Sequence, residues 1–564
     1  MKRPNKNLLI MVFFMGFLGC TFHNYFRVKK LSNDIYLYEG SSIQGIRDLE
    51  IKNEILPIIP HITSDKYYPE LNIINPYNET IFPPNIASPT FIWEDEYLYS
   101  NMWLIKVSFE NNSNAIYILT DQQTWTPDRD IWGIIKAHSI SNNAVITIMG
   151  VNRKNSFAIT TKSSISISTS KDEVDAPIFY MQMPLPFAYA KNHPELSRWL
   201  LGDISSYNPP PVIMENLPIC GNCHSFSRDG KIFGMDMDYK NDKGAYVLTP
   251  VRENILLSEE DFISWNDFRR WDETKSLGLF SKISPDGNYV ISTVKEKSFF
   301  VMIDDLDFSQ LFFPLTGLIA YYSRKEKKVF ALSGADDPDY VQTCPEWSPD
   351  GKFIVFSRAK VNKKLIEVIG DKGFLEIKSD IRIEDLNEHY QIQYDLYRIP
   401  FNRGKGGTPE PLIGASNNGK SNYFPRYSPD GKWIVFTRCK TGLAIQPKSQ
   451  LYIIPAQGGI ARKMRCNTDI MNSWHSWSPN SRWLVFTSKI NTPFTELFLT
   501  HIDRDGNDSP AVLLDRFNSR KYAAMVPEFV TMKQGDLMEI TLVGFKDKMN
   551  RGYDYHVLNL NMPR

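Results

Sequence analysis

The chain has 564 residues, with 64 Lys+Arg balanced by 64 Asp+Glu. That balance gives no electrostatic case for nucleic acid or for a polybasic membrane patch. Six cysteines in this length are far too few for a disulfide scaffold, and the length itself suggests about two to four domains.

The first element is a leader. In MKRPNKNLLIMVFFMGFLGC, Lys2, Arg3 and Lys6 precede an apolar run from Leu8 through Leu18, followed by Gly19 and Cys20. A basic start, a short apolar run and a small residue describe a secretory signal, and the run is shorter than the roughly 20 residues a spanning helix needs. Gly19-Cys20 resembles the lipobox of bacterial lipoproteins, with Phe17 where leucine is usual. The resemblance implies cleavage after residue 19 and acylation of Cys20. The expectation is a cell-envelope lipoprotein, anchored in the outer membrane and facing the periplasm, with residues 20–74 as tether and lead-in.

Residues 75–185 alternate in short apolar runs: PTFIW (89–93), NMWLIKVSF (101–109), NAIYILT (114–120), NAVITIMG (143–150) and SSISIST (163–169). Period-two alternation between turn residues predicts strands, and their number predicts a β-sandwich. PPNIASPTFIW is similar to the entry strands of fibronectin III or immunoglobulin-like modules. Residues 186–217, with NPPPVIMENLP, read as a proline-rich linker held extended.

From residue 218 to the C-terminus the chain repeats. FSKISPDGNYVIST (280–293), CPEWSPDGKFIVFSR (344–358), FPRYSPDGKWIVFTR (424–438) and WHSWSPNSRWLVFTS (474–488) share one pattern of strand, turn and strand. Proline presets the second turn position, and Gly287, Gly351 or Gly431 closes the turn. Third strands recur at AYVLTP, FFVMID, DLYRIP, QLYIIP and ELFLTHID. With SFSRDGK (225–231) as a first copy and Pro527-Glu528-Phe529 marking a last, motifs near 227, 284, 348, 428, 478 and 530 predict six blades. The charged stretch 360–392 reads as an exposed insertion. SPDGKWIVFTR followed by LYIIPAQGG resembles the WD40-like repeats of TolB-type β-propellers. The fold class expected is therefore all-β: a sandwich over 75–185, then a six-bladed TolB-like propeller over 218–564.

Directly before the first repeat stands Cys220-Gly-Asn-Cys223-His224. Covalent haem c needs two thiols for the two vinyl groups and an adjacent histidine as proximal iron ligand. CGNCHSFS against a propeller repeat is similar to exported bacterial proteins that pair a TolB-like propeller with one haem-c motif. The resemblance implies Cys220 and Cys223 as attachment sites and His224 as axial ligand. Other readings stay open. A Cys220–Cys223 disulfide suits an oxidising compartment. A zinc site from Cys220, Cys223, His224 and Cys344 lacks a second CxxC pair, and no βαβ pattern supports a thioredoxin-like motif. The motif also enters a strand where small cytochromes begin a helix. Met235 and Met237 are near in sequence, but strand methionines are usually packing. His475 occupies the register of His224, and Cys344 that of Cys223, so His475 is a candidate distal ligand, with a hydrogen-bonded core histidine as the plainer reading.

No G-x-S-x-G elbow is present, and the acidic loop GADDPDY (334–340) lacks EF-hand spacing, so no hydrolytic enzyme is expected. Two classes remain. One is an envelope electron-transfer or redox-sensing protein with one haem c and a redox partner. The other is a non-enzymatic TolB-like scaffold that binds an envelope protein, with CxxCH as a structural disulfide or metal site.

Overall fold

A computed structural model describes residues 28–32, 35–38 and 66–543, apart from 111, 141, 156–157, 269–274, 304, 371–381 and 534. Residues 1–27, where the leader and Cys20 are expected, and the chain beyond 543 lie outside the described residues.

The repeats fold as the turn chemistry requires. In each, the turn serine donates Oγ–H to the side chain two residues on and accepts the N–H five residues on. For Ser428 these bonds run to Asp430 at 2.6 Å and from Trp433 at 3.0 Å, and Ser227, Ser284, Ser348 and Ser478 repeat them. The fourth turn residue takes a positive φ, 73° at Gly431 and 61° at Ser481, where the repeat has lost its glycine.

Among the described residues there are six four-stranded antiparallel sheets. Their inner strands, numbered in chain order, are β1 Gly221–Phe226, β2 Leu279–Ile283, β3 Tyr340–Trp347, β4 Ser421–Tyr427, β5 Asn472–Trp477 and β6 Ala523–Phe529. Each packs on the next, and β6 returns to β1, so the sheets form a ring. The sheet of β6 takes its other three strands from Ile178–Met183, Arg198–Gly202 and Val212–Met214. The stretch 178–214, read on sequence as the end of a sandwich and a linker, therefore belongs to the ring and closes it. Strand Glu539–Leu542 adds a parallel seam to Asn254–Leu257.

Upstream, a seven-stranded sheet runs in the order Val28–Ser32, Ile35–Tyr38, Asn112–Thr120, Met102–Phe109, Ala144–Asn152, Ala158–Thr169, Thr80–Phe82. A three-stranded sheet holds Asn72–Asn75, Phe91–Glu94 and Thr124–Trp125. The alternation reading of this region contained no helix, yet Arg129–Ser139 is one. Asp128 caps it by accepting the Ile131 N–H at 2.8 Å, and Ile131, Trp132 and Ile135 bury one face. Ile131, Trp132 and Ile135 share one apolar cluster with Trp483, Val485, Leu497 and Leu499 of the fifth ring sheet. Trp483 Nε1 donates to the Asp172 carbonyl at 3.0 Å across the same contact.

The insertion 360–392 is more than an exposed loop. Helices Lys363–Ile369 and Ile383–His389 flank its undescribed middle, and Leu365, Ile383 and Leu386 are buried in one cluster with Leu443 and Phe299.

Candidate functional site at the channel mouth

Every inner strand carries a β-bulge at the same register. The shifts fall between Gly221 and His224, Leu279 and Lys282, Thr343 and Glu346, Tyr423 and Arg426, and Ser473 and Ser476, and opposite Phe179 and Met181 for β6. A bulge re-aims one side chain. Here it sends the residue four before the turn serine, or before Val530 in β6, to the axis: Cys223, Phe280, Cys344, Phe424, Trp474 and Val526 all line one cavity of about 20 Å³. Phe280, Cys344, Phe424, Trp474 and Val526 hold φ between 43° and 61° to do so. Phe424 and Trp474 stack at 4.6 Å, so the ring is a constriction.

Two residues further along, four of the six strands carry charge, Lys282, Glu346, Arg426 and Glu528, and the other two carry Ser225 and Ser476. Lys282 Nζ is 3.0 Å from Glu528 Oε2, and Arg426 is paired with Glu346. Burial and Arg426 lower the Lys282 amine. Burial alone would raise the Glu528 carboxyl, but Lys282, His224 and Arg426 hold it below its ordinary value. The turn face beyond is bridged by Arg228, which stands where the other repeats have proline. Its Nη1 donates to the Pro349 carbonyl at 3.2 Å and its Nη2 to the Pro429 carbonyl at 3.4 Å, reaching the third and fourth sheets from the first.

The opposite end is different. A cavity of about 270 Å³ opens above the constriction, with apolar walls from Phe187, Phe280, Phe300, Phe312 and Trp474. Cys220 and Cys223 both line it, with Met181, Met183, Met237 and Met525. Its polar rim includes Asp236, Asp238 and Lys243, the last two ion-paired. The thiols are open to the cavity and enclosed by protein on their other sides. That enclosure pushes each up to about 12, with Asp238 adding to the effect at Cys220 and Asp236 at Cys223. Both are free thiols. Burial, with Asp242 nearby, raises Asp238 to about 7.

His224 follows Cys223 at the bulge, which aims Cys223 at the axis and leaves His224 inside the sheet packing. It is fully buried, edge-on to Phe179 at 4.7 Å, and is not among the described residues lining the cavity. Both its ring nitrogens are buried without a hydrogen-bond partner in the structure. Burial lowers it to about 4. His475, in the same register of β5, has Nε2 3.0 Å from the Val435 carbonyl and is lowered to about 3, again by burial. It lines neither cavity. The two thiols thus share a space that neither imidazole enters. Thioether attachment fits this arrangement, whereas axial ligation by His224, with His475 as distal partner, does not fit it. Among the described residues no three His, Cys, Asp or Glu side chains converge as a metal group. Met235, directly across from His224 in the β1 pairing, is buried in the core. The sequence singled out the cysteines. It did not reveal the methionines on strands 178–183 and β6, because their approach depends on the ring closing through residues some 340 positions apart.

These features define a β-propeller with one end bridged and the other open onto a dithiol. No protein-family model matches the chain, and no curated protein matches it. Solved structures similar to it include TolB from Acinetobacter baumannii, at 14% identity over 69% of this chain and 79% of that one, TM-score 0.38. A putative TolB from Agrobacterium tumefaciens is 14% identical over 63% and 99%, TM-score 0.33. An oligogalacturonate lyase in complex with manganese is 14% identical over 54% and 69%, TM-score 0.33.

Proposed function

We propose that this chain is a six-bladed, TolB-like, non-catalytic binding scaffold of the cell envelope, anchored through Cys20, whose ligand site is the dithiol cavity at the open end of the channel. The observation that carries the reading is that Cys220 and Cys223 line one apolar cavity while Arg228 bridges the other face. A concave, mostly apolar site with a few converging polar groups is the usual form of a ligand pocket. The lipid anchor and periplasm-facing location rest on the lipobox-like leader.

Covalent haem c, with a role in electron transfer or redox sensing, is the second reading. The two thiols on one cavity favour it, as do the buried, unpartnered ring nitrogens of His224. The face His224 occupies opposes it.

One experiment separates the two. The protein is expressed with its leader in a host that matures c-type cytochromes, denatured, and assayed by pyridine haemochrome and intact mass. The scaffold reading expects no covalent haem while a control cytochrome matures. Haem present in the parent and lost in Cys220→Ala with Cys223→Ala would replace it with the cytochrome reading.

A further inference from the structure

The sulfur chemistry of the open cavity extends beyond its two thiols. Cys223 packs against an apolar cluster that buries Met181, Met183, Met214, Met235, Met237 and Met525, one third of the chain's 18 methionines. Four of them line the same cavity as Cys220 and Cys223. They come from three different strands of two sheets, Ile178–Met183 and β6 in the closing sheet and Ile232–Met237 in the first, so the convergence is made by tertiary structure. Methionine is a common filler of irregular apolar gaps, but a filler has no need of two thiols at the same surface.

We propose that this cavity is a site for a soft monovalent metal ion, Cu(I), held by Cys220 and Cys223 thiolates with thioether sulfur from Met237 or Met525. This rests on the reading of the channel mouth as the ligand site and names its ligand. Thiolate and thioether donors together select Cu(I) among the biological metals. Two thiolates on Cu(I) leave one net negative charge, one fewer than two bare thiolates would place there, and Lys243 lines the same cavity. Zn(II) instead takes four N, S or O ligands, and although Asp236 and Asp238 line the cavity, among the described residues no three His, Cys, Asp or Glu side chains converge. Each cysteine that ligates releases its proton to solvent as the metal–sulfur bond forms, so binding releases protons and strengthens as pH rises. No change of oxidation state is involved.

The test is an anaerobic titration of the reduced full chain with Cu(I) buffered by bicinchoninate. The wild-type protein should withdraw one equivalent from the chelator. Cys220→Ser with Cys223→Ser should withdraw none. Met237→Leu with Met525→Leu, which conserves apolar volume, should bind about 10- to 100-fold more weakly with an unchanged thermal melt. Excess Zn(II) should not displace the ion. Uptake that survives the double cysteine change, an affinity indifferent to the methionine pair, or no uptake when intact mass verifies both thiols free, would each overturn the proposal. A covalent haem already on the Cys220–Cys223 peptide would overturn it too, and would overturn the scaffold reading with it. Failure to bind copper with free thiols and an intact fold leaves that reading standing.

Discussion

The two ends of the channel are built by the same repeat and do opposite things. At the turn face the repeat is followed closely: serine, an acidic or amide side chain two residues on and the N–H five residues on satisfy one another at five of the six turns, and Arg228, in place of a proline, bridges three sheets. At the mouth the repeat is departed from. Cysteine, phenylalanine, cysteine, phenylalanine, tryptophan and valine occupy equivalent positions of the inner strands, and the space above them is lined by sulfur. The comparison teaches that the repeated chemistry makes the ring, and that the departures from it make the site.

The charged residues between the two ends are the most sensitive place to break that division. Lys282→Met leaves Glu528 buried with one cation fewer, and removal of one partner from a buried pair costs about 3–5 kcal/mol. Adding Glu528→Gln should recover most of the loss, since glutamine still accepts the Phe226 N–H, a bond of 3.0 Å in the parent. Urea midpoints of the single and double variants check this. No recovery would mean that the ring is held by something other than paired charge.

Next in size is a pH effect confined to the inner strands. His224 falls from 6.5 to about 4, so the unfolded chain binds its proton before the folded one does. Its contribution is therefore complete above pH 6.5 and is lost as pH falls from 6.5 towards 4. One unit is worth 1.36 kcal/mol, so the loss is about 3 kcal/mol. His475, lowered to about 3, acts with the same sign over a window reaching lower. His224→Phe should flatten the upper part of a stability profile taken between pH 7 and 4. An unchanged slope would assign acid sensitivity to other groups.

Smaller effects belong to the turn face. Ser428→Ala removes a donor to Asp430 and an acceptor for the Trp433 N–H, a loss of about 1–2 kcal/mol, readable as a lower melting temperature. Arg228→Pro restores the consensus turn but gives up the bonds to the Pro349 and Pro429 carbonyls and the Arg228 N–H bond to Pro285. It should cost about 1 kcal/mol and leave thiol chemistry at the mouth unaltered. A change there would couple the two ends.

The ring was legible in the sequence because its turns are local: Ser428-Pro-Asp-Gly431 needs nothing beyond its own five or six residues to form. The cysteines of the mouth were legible for the same reason, as a short motif. What was hidden depends on distant pairing. Ile178–Met183 falls within the stretch assigned to the sandwich, and only its pairing with Ala523–Phe529 makes it part of the ring and brings Met181 and Met183 to the cavity of Cys220. The helix at Arg129–Ser139 did leave a local signal, Thr126-Pro-Asp128 followed by apolar residues at 131, 132 and 135, which the strand-rich context obscured. His224 illustrates the limit of motif reading. The CxxCH spacing specifies order along the chain, while the bulge between Gly221 and His224 decides which of its side chains reach the cavity.

The central claim is that Cys220 and Cys223 share one accessible space, which no other thiol of the ring enters without passing the constriction. Treating the folded, reduced protein with a thiol-bridging dibromobimane, followed by peptide mass mapping, tests it directly. A single bridge joining Cys220 to Cys223 is expected, with Cys344, Cys439 and Cys466, all buried, unmodified until the protein is denatured. Separate, unbridged labelling of the two, or labelling of Cys344 at the same rate, would contradict it.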